Sequence, residues 1–356
     1  MRLIAVAGFS KGMSCVCLEK IATQARARVY IKSMKAATIL SAGLICSVAR
    51  AELQNPQSYW EMCDASAAVA LDKDHFIAAD DEGNTLRVYK RGEPLPVKRA
   101  DVSRFLVGKK KSEADLEGAA RVGDRIYWIG SHGRNKDAKA APTRQRFFAT
   151  QIATTDPRDV RPIGRPYDGL LPDLLADARF RQFGLEPGSL LAPKSEGGLN
   201  IEGLCARPDG TLLIAFRNPV PHGKGLIVPL LNPAKLIEGG HRAQFGEMIQ
   251  LDLGGFGVRD LTLVGDTYYI IAGARDTSHK FHLYEWDGKS ATPKMFTGKL
   301  FEKLNPEAIF RFPNDPPGVF QILSDDGSRK SGGKECKDYP QDQRHFRAGE
   351  LHLSGS

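Results

Sequence analysis

A short frame recurs along this 356-residue chain, and internal repetition constrains a fold more tightly than any single motif. Asp115-Leu116-Glu117-Gly118 is followed, seven residues after Glu117, by Asp124 in a Gly-Asp turn and then by the apolar run Arg125–Gly130. Asn200-Ile201-Glu202-Gly203 repeats the interval to Asp209, ahead of Thr211–Phe216. Val258-Arg259-Asp260 repeats it to Asp266, ahead of Thr267–Ala272, with Arg259 in the glutamate's place. Asn305-Pro306-Glu307 precedes Val319–Ser324 after a longer turn, and Cys63–Ala68 precedes His75–Ala79 as a degenerate first copy framed on Ser66. Each copy reads as strand, tight turn, strand.

Third strands follow at Leu86–Tyr89, Arg146–Thr150, Gly225–Pro229 and Phe281–Glu285, and fourth strands at Glu247–Leu251 and Lys294–Thr297. Frame positions 66, 117, 202, 259 and 307 are 51, 85, 57 and 48 residues apart. Four antiparallel strands per unit of about 40–50 residues is the signature of a β-propeller. The expected fold is all-β, with five blades and six as the alternative. The long second interval is assigned to an insertion at about 153–199, where alternation fades and Leu170–Arg179 suggests a short helix. A pair of β-sandwiches would share the short strands but not a Glu-Gly step before equivalent strand pairs. No βαβ alternation supports a Rossmann or TIM fold. The last unit lacks an outer strand, and Asn55–Trp60 is available to supply it, closing the ring with both termini.

The net charge of +8 is misleading, because residues 1–51 hold eight Lys/Arg and one Glu, leaving 42 Lys/Arg against 41 Asp/Glu in the rest. A nucleic-acid binder is basic in its folded part, so none is expected as partner. Lys109-Lys110-Lys111 reads as a solvated loop. Met34-Lys35, an apolar run to Ala49 and Ala49-Arg50-Ala51 have the three parts of a secretory signal peptide. The alternative is a buried N-terminal helix. The run is too short to span a bilayer, so no stable membrane insertion is expected after cleavage. The domain reading is 1–33 upstream extension, 34–51 signal peptide and 52–356 a single propeller, in the periplasm or outside the cell. Three cysteines would remain, Cys63, Cys205 and Cys336. Cys205 sits in an apolar run and reads as an inert buried thiol. Cys63 and Cys336 meet only if the ring closes as above, and whether they pair is left open.

In a propeller the innermost strands line the channel, and the ends of the second strands open on the same face as the starts of the first. Glu117, Glu202 and Glu307 should therefore converge at one mouth, with Arg259 completing the ring. Asp80–Glu82, Ser131–Arg134, Arg217-Asn218, Gly273–Asp276 and Ser324–Gly327 should surround them. Crowded carboxylates need a cation, a proton or arginines. Calcium suits oxygen ligands from several blades, with Glu117, Glu202, Glu307, Asp80 and Asp325 as its candidate ligands. Arg134, Arg217, Asn218, Arg259 and Arg275 are candidates for holding an anion. His132, in the loop beside Arg134, is the candidate for proton transfer. The plainer alternative is that the glutamates cap amides or pair with the arginines to join blades. Zincin, α/β-hydrolase and nucleotide-hydrolase motifs are absent.

Asp115–Gly118, Ile201–Leu204, the Phe216-Arg217-Asn218-Pro219 turn and Leu226–Pro233 resemble an uncharacterised bacterial family, the domain of unknown function 3616, over roughly residues 60–353. The Glu-Gly frame is more loosely similar to phytase-like and esterase-like propellers. The first resemblance implies no activity, and Arg259 departs from the second. The functional expectation is an exported propeller binding a small anionic or phosphorylated molecule at its channel mouth. In the enzymatic version it is a calcium-assisted phosphoesterase, with Arg217 and Arg134 holding the ester. The alternative is a non-catalytic binding or scaffold module. N-terminal sequencing of the exported protein is expected to begin at Glu52; a cytoplasmic product retaining Met1 overturns the export reading.

Overall fold

The computed structural model describes residues 50–108, 112–276, 278–298, 300–301 and 304–354. Residues 1–49, including nearly all of the signal-peptide reading, and Lys109–Lys111 lie outside them. The described strands form five four-stranded antiparallel blades. The first blade runs Ala65–Ala70, His75–Asp80, Thr85–Lys90 and Pro96–Asp101 from the channel outward. The second has Leu116–Val122, Arg125–Gly130, Phe147–Ile152 and Val160–Tyr167. The third has Asn200–Ala206, Leu212–Asn218, Gly225–Leu230 and Ile249–Leu251. The fourth has Gly257–Val264, Thr267–Gly273, Phe281–Trp286 and Lys294–Met295.

The fifth blade takes strands from both ends of the chain. Its order is Pro306–Phe310, Val319–Ser324, His345–Ser354 and finally Arg50–Trp60. The N-terminal strand pairs antiparallel with the C-terminal one, from Arg50 opposite Ser354 to Trp60 opposite His345. The expected closing strand is therefore present, and it begins before Asn55. Pairing both termini in one sheet covers the outer edge of the C-terminal strand and ties the two ends of the chain together.

Every frame residue sits at a β-bulge of its innermost strand. The register slips between Ala65 and Ala67, Leu116 and Gly118, Ile201 and Gly203, Val258 and Asp260, and Pro306 and Ala308. Ser66, Glu117, Glu202, Arg259 and Glu307 are the unpaired extra residues, and a bulge is a means of re-aiming one side chain. The residue after each bulge faces the next blade. A Cβ on Gly118 would come within 2.9 Å of Leu204 Cβ, and one on Gly203 within 2.8 Å of Leu261 Cδ2. These two glycines allow the inner strands to touch. At the same place Asp260 accepts a hydrogen bond from the Ile309 amide at 2.8 Å.

Between blades the apolar faces meet in separate wedges. One wedge joins the first two blades through Ile77, Leu86, Trp128 and Phe148. Another joins the third and fourth through Leu213, Ile227, Ile270 and Trp286. The insertion adds to the wedge between the second and third blades, where Leu170, Leu174, Phe180 and Leu185 pack with Ile129 and Phe216. Its extent differs from the expected 153–199. Residues 160–167 are the second blade's outer strand, disguised by Pro162, Gly164 and Pro166, which an edge strand tolerates. The helical part follows at Leu170–Ala176, Ala178–Phe183 and Leu185–Gly188.

The seam between the fifth and first blades is aromatic, with Tyr59, Phe76, Tyr89, Phe310 and Phe346 in one buried cluster. Cys63 and Cys336 form a disulfide there, with α-carbons 6.0 Å apart and 273 residues between them in sequence. Cys205 is free and buried, and burial pushes its thiol pKa up. A cross-link over so long a loop restricts the unfolded chain strongly, and losing one costs about 2–5 kcal/mol. Reduction, or the pair Cys63→Ser and Cys336→Ser, is expected to lower the melting temperature by several degrees. Equal melting of oxidised and reduced protein would show that the seam does not need the bridge.

Candidate functional site

The channel mouth opens as a cavity of about 710 Å³ lined by Glu117, Glu202 and Glu307 of the frame and by flanking loops of the first, second, third and fifth blades. Its floor is an ionic network. Arg259 Nη1 donates to Glu202 Oε2 at 2.8 Å and also to Glu307 Oε1. Arg217 Nη1 and Asn200 Nδ2 donate to Glu202 Oε1 at 2.7 and 2.6 Å. Burial opposes ionisation of Glu202, but Arg217 and Arg259 prevail and hold its pKa below the usual value. Glu307 has one arginine fewer; burial, with Asp325 and Glu202 nearby, pushes it up to about 8 against the pull of Arg259. In the first blade Ser66 replaces the acid, and its hydroxyl donates to the Leu116 carbonyl of the next blade at 2.5 Å.

Glu117 is different. It is only 8% exposed, it lines the cavity, and its carboxylate has no hydrogen-bond or ion-pair partner among the described residues. Asp81 and Asp115 stand beside it, and one carboxylate oxygen from each of the three lies within 4.8 Å of the others. Asp81 Oδ1 is sealed from solvent with no partner. Asp115 is better served: Arg144 Nη1 donates to it at 2.9 Å, and the Ser131 hydroxyl also donates. Burial and the neighbouring acids push Glu117 and Asp81 well above the usual carboxylate range. Burial lifts Asp115 to about 6 despite Arg144 and Ser131. Asp64 completes the acidic side; burial, Asp81 and the adjoining Asp325 push it up to about 11. Bonds to calcium are about 2.3–2.6 Å long, so oxygens within 4.8 Å of one another can share one ion.

The mouth gathers Glu117, Glu202, Glu307, Arg217 and Asp325, with Arg259 beneath them. Other expected members lie elsewhere. Asp80 turns into the first blade, where Arg87 Nη1 donates to it at 3.2 Å, and its neighbour Asp81 faces the cavity instead. Arg134 is spent on the carbonyls of Ser189 and Ala138, at 2.8 and 3.0 Å. Asn218 Nδ2 donates to the Pro193 and Ser195 carbonyls at 3.0 and 2.7 Å. Both residues hold the insertion, whose Ala192–Ser195 stretch then forms part of the cavity wall. Arg275 contributes its carbonyl, which accepts from Arg217 Nη2 at 3.1 Å. His132 is 1% exposed and does not line the mouth.

Residues 166–315 match a family model described as protein of unknown function, DUF3616. The match covers the insertion, the third and fourth blades and the start of the fifth, less than the 60–353 of the sequence resemblance. No curated protein matches the sequence. Among solved structures, glutaminyl cyclase from Myxococcus xanthus is similar at 12% identity and a TM-score of 0.45, covering 86% of this chain and 98% of its own. An oxidoreductase described as glucose dehydrogenase from Thermus thermophilus is similar at 14% identity and 0.40, covering 85% and 100%. An engineered GH43 glycoside hydrolase is similar at 11% and 0.44, covering 83% of this chain and 52% of the enzyme. Identities this low transfer no residue role.

Asp64, Asp115 and Asn200 were not chosen as site residues from sequence, although the repeat contains their signal. Two residues before the bulge the five copies read Asp64, Asp115, Asn200, Gly257 and Asn305, polar in four of the five, and the first three line the cavity. Lys194 and Arg144, which also border the cavity, carry no repeat signal.

His132 has a structural role that can be measured. Its backbone is left-handed, with φ of 56°, and Nδ1 lies 2.9 Å from the Gly130 carbonyl. Burial, with Arg146 adding to it, pulls the imidazole pKa down to about 4. A depressed histidine contributes stability above its ordinary pKa, and that stability is lost as pH falls through the window between about 6.5 and 4. The loss is on the order of 3 kcal/mol. Asparagine tolerates this backbone, so His132→Asn is expected to lose less stability than wild type between pH 6.5 and 4 in denaturant titrations. Parallel pH profiles would contradict the buried neutral state.

Proposed function

We propose that the channel mouth binds calcium through Asp81, Asp115 and Glu117, and that the ion holds a small anionic ligand whose other side meets Arg217 and Lys194. The observation that carries this reading is the Glu117 carboxylate: buried, facing the cavity, and without a cationic partner among the described residues, while Glu202 and Glu307 share the arginines. Burying a carboxylate is costly unless it is protonated or meets a cation. A hard cation satisfies all three acids at once. The plainer pairing reading accounts for Glu202 and Glu307 but gives Glu117 no arginine.

Binding is favoured over phosphoester hydrolysis because His132, the proton carrier of the enzymatic version, lies buried away from the mouth. Export to the periplasm or beyond remains part of the proposal, supported by the Cys63–Cys336 disulfide, which suits an oxidising compartment. Arg50 and Ala51 already pair with the C-terminal strand, so cleavage before Glu52 would shorten that ladder by two residues without removing it.

A ligand bound only by the native state raises stability by mass action, by about 2.7 kcal/mol at one hundred times its dissociation constant. Millimolar calcium is therefore expected to raise the melting temperature by several degrees, and Glu117→Gln to abolish most of that rise. Inorganic phosphate is expected to bind in calorimetry only after calcium is added. An identical melting curve with calcium and with chelator would overturn the proposal.

A further inference from the structure

Beside the mouth, a second cavity of about 600 Å³ opens between the fourth and fifth blades. A smaller cavity of about 130 Å³ shares lining residues with both, and Ser328 borders all three. Their chemistries are opposite. The mouth is ringed with acids, whereas no carboxylate lines the cleft among the described residues.

Two cations face the cleft without an acidic partner among the described residues. Lys280 is exposed and forms no ion pair there; Arg329 is exposed and meets only His345 Nε2, at 3.3 Å from its Nη1. The backbone of Arg329 is fixed, since its carbonyl accepts from the Cys336 amide and its amide donates to Asp326, both at 2.9 Å. A third cation, Arg347, is committed to Asp326 at 2.6 Å.

The cleft also has apolar walls. Leu300, Phe301 and Leu304 line it while remaining 6–8% exposed. Phe281 forms another wall and is half-buried. The Arg259 guanidinium carbon sits 5.4 Å from its ring centroid, and a Cβ on Gly273 would lie 2.9 Å from its Cδ1. That ring is held in place rather than loosely exposed. Cations without an ion-pair partner among the described residues, beside an aromatic ring held in place and with no carboxylate among the described lining residues, complement one chemical class: an anion carried on a flat apolar body.

We propose that the cleft between the fourth and fifth blades is a second binding site, for an aromatic anion whose ring lies along Phe281 and Phe301 and whose charge meets Lys280 and Arg329. The site lies outside the calcium-binding reading and does not depend on it. Its polarity sets which molecules can enter, since the same two cations that attract an anion repel a free metal ion.

Phenyl phosphate is the probe, titrated into the full protein by calorimetry with inorganic phosphate and benzyl alcohol as controls, each with calcium and with chelator. In chelator, where the mouth holds no calcium, phenyl phosphate is expected to bind one saturable site about tenfold or more tightly than either control. Replacing both exposed cations, Lys280→Ala with Arg329→Ala, is expected to weaken it about tenfold or more while leaving the calcium melting shift unchanged. Binding that needs calcium and survives the double substitution would place the probe at the mouth and overturn the cleft site, leaving the calcium reading intact. No saturable binding in chelator, or equal binding of inorganic phosphate there, would also overturn it. Cation-dependent phenyl phosphate binding without any calcium response would support the cleft while overturning the calcium reading.

Discussion

One guanidinium decides how charge is distributed in this channel. Arg259 bonds Glu202 and Glu307 together, so the third, fourth and fifth blades meet at a single buried cation. Three glutamates and a fourth acid in its place would repel each other in a setting where water screens poorly. With Arg259 in the fourth frame and Arg217 reinforcing Glu202, two of the acids are paired. The third is not. Glu117 is left facing Asp81 and Asp115, so the arginine that stabilises one side of the ring also isolates an acidic patch on the other.

The bulge makes that arrangement geometrically available. An unbroken inner strand alternates its side chains between its two faces, and an extra residue in each copy supplies a side chain re-aimed by the bulge. The next residue must then be small, or must bond the neighbouring blade, because the inner strands approach closely at that point. Gly118 and Gly203 meet the first condition and Asp260 the second. The Glu-Gly step is therefore two requirements in consecutive residues, one electrostatic and one steric. This explains why it survives in two copies and is rewritten elsewhere as Ser-Ala, Arg-Asp and Glu-Ala.

That same step made the fold legible in the sequence. The frame positions 66, 117, 202, 259 and 307 coincide with the bulged residues, and the closing strand was readable from what the last unit lacked. The site was legible only in part, for physical reasons that differ by residue. Asp115 and Asp64 lie inside their copies of the repeat but two residues before the bulged position, and only the bulged position was expected to face inward. His132 follows a second strand, as a mouth residue should, but its left-handed backbone and bond to the Gly130 carbonyl keep it inside. Arg134 and Asn218 bond backbone carbonyls of the insertion, partners that have no side-chain signature. Asp80 and Asp81 are adjacent acids on a strand end, where a one-residue difference in the turn decides which faces the channel.

The closure of the ring and the acidic side of the mouth are built from the same few residues. Cys63 is bonded to Cys336 and is followed immediately by Asp64. Its carbonyl accepts from the Asp326 amide at 2.9 Å, and Asp64 and Asp325 form an isolated antiparallel bridge across the seam. Gly327 leaves room beside them, since a Cβ there would lie 1.6 Å from Asp64 Oδ1 and displace that side chain. The loop that carries Asp325 to the mouth also carries Arg329 to the side cleft. A ring closed by strands from both termini concentrates its least local contacts at one seam. In this chain those contacts also position Asp64 and Asp325, so the step that completes the propeller is the step that completes the acidic wall of its mouth.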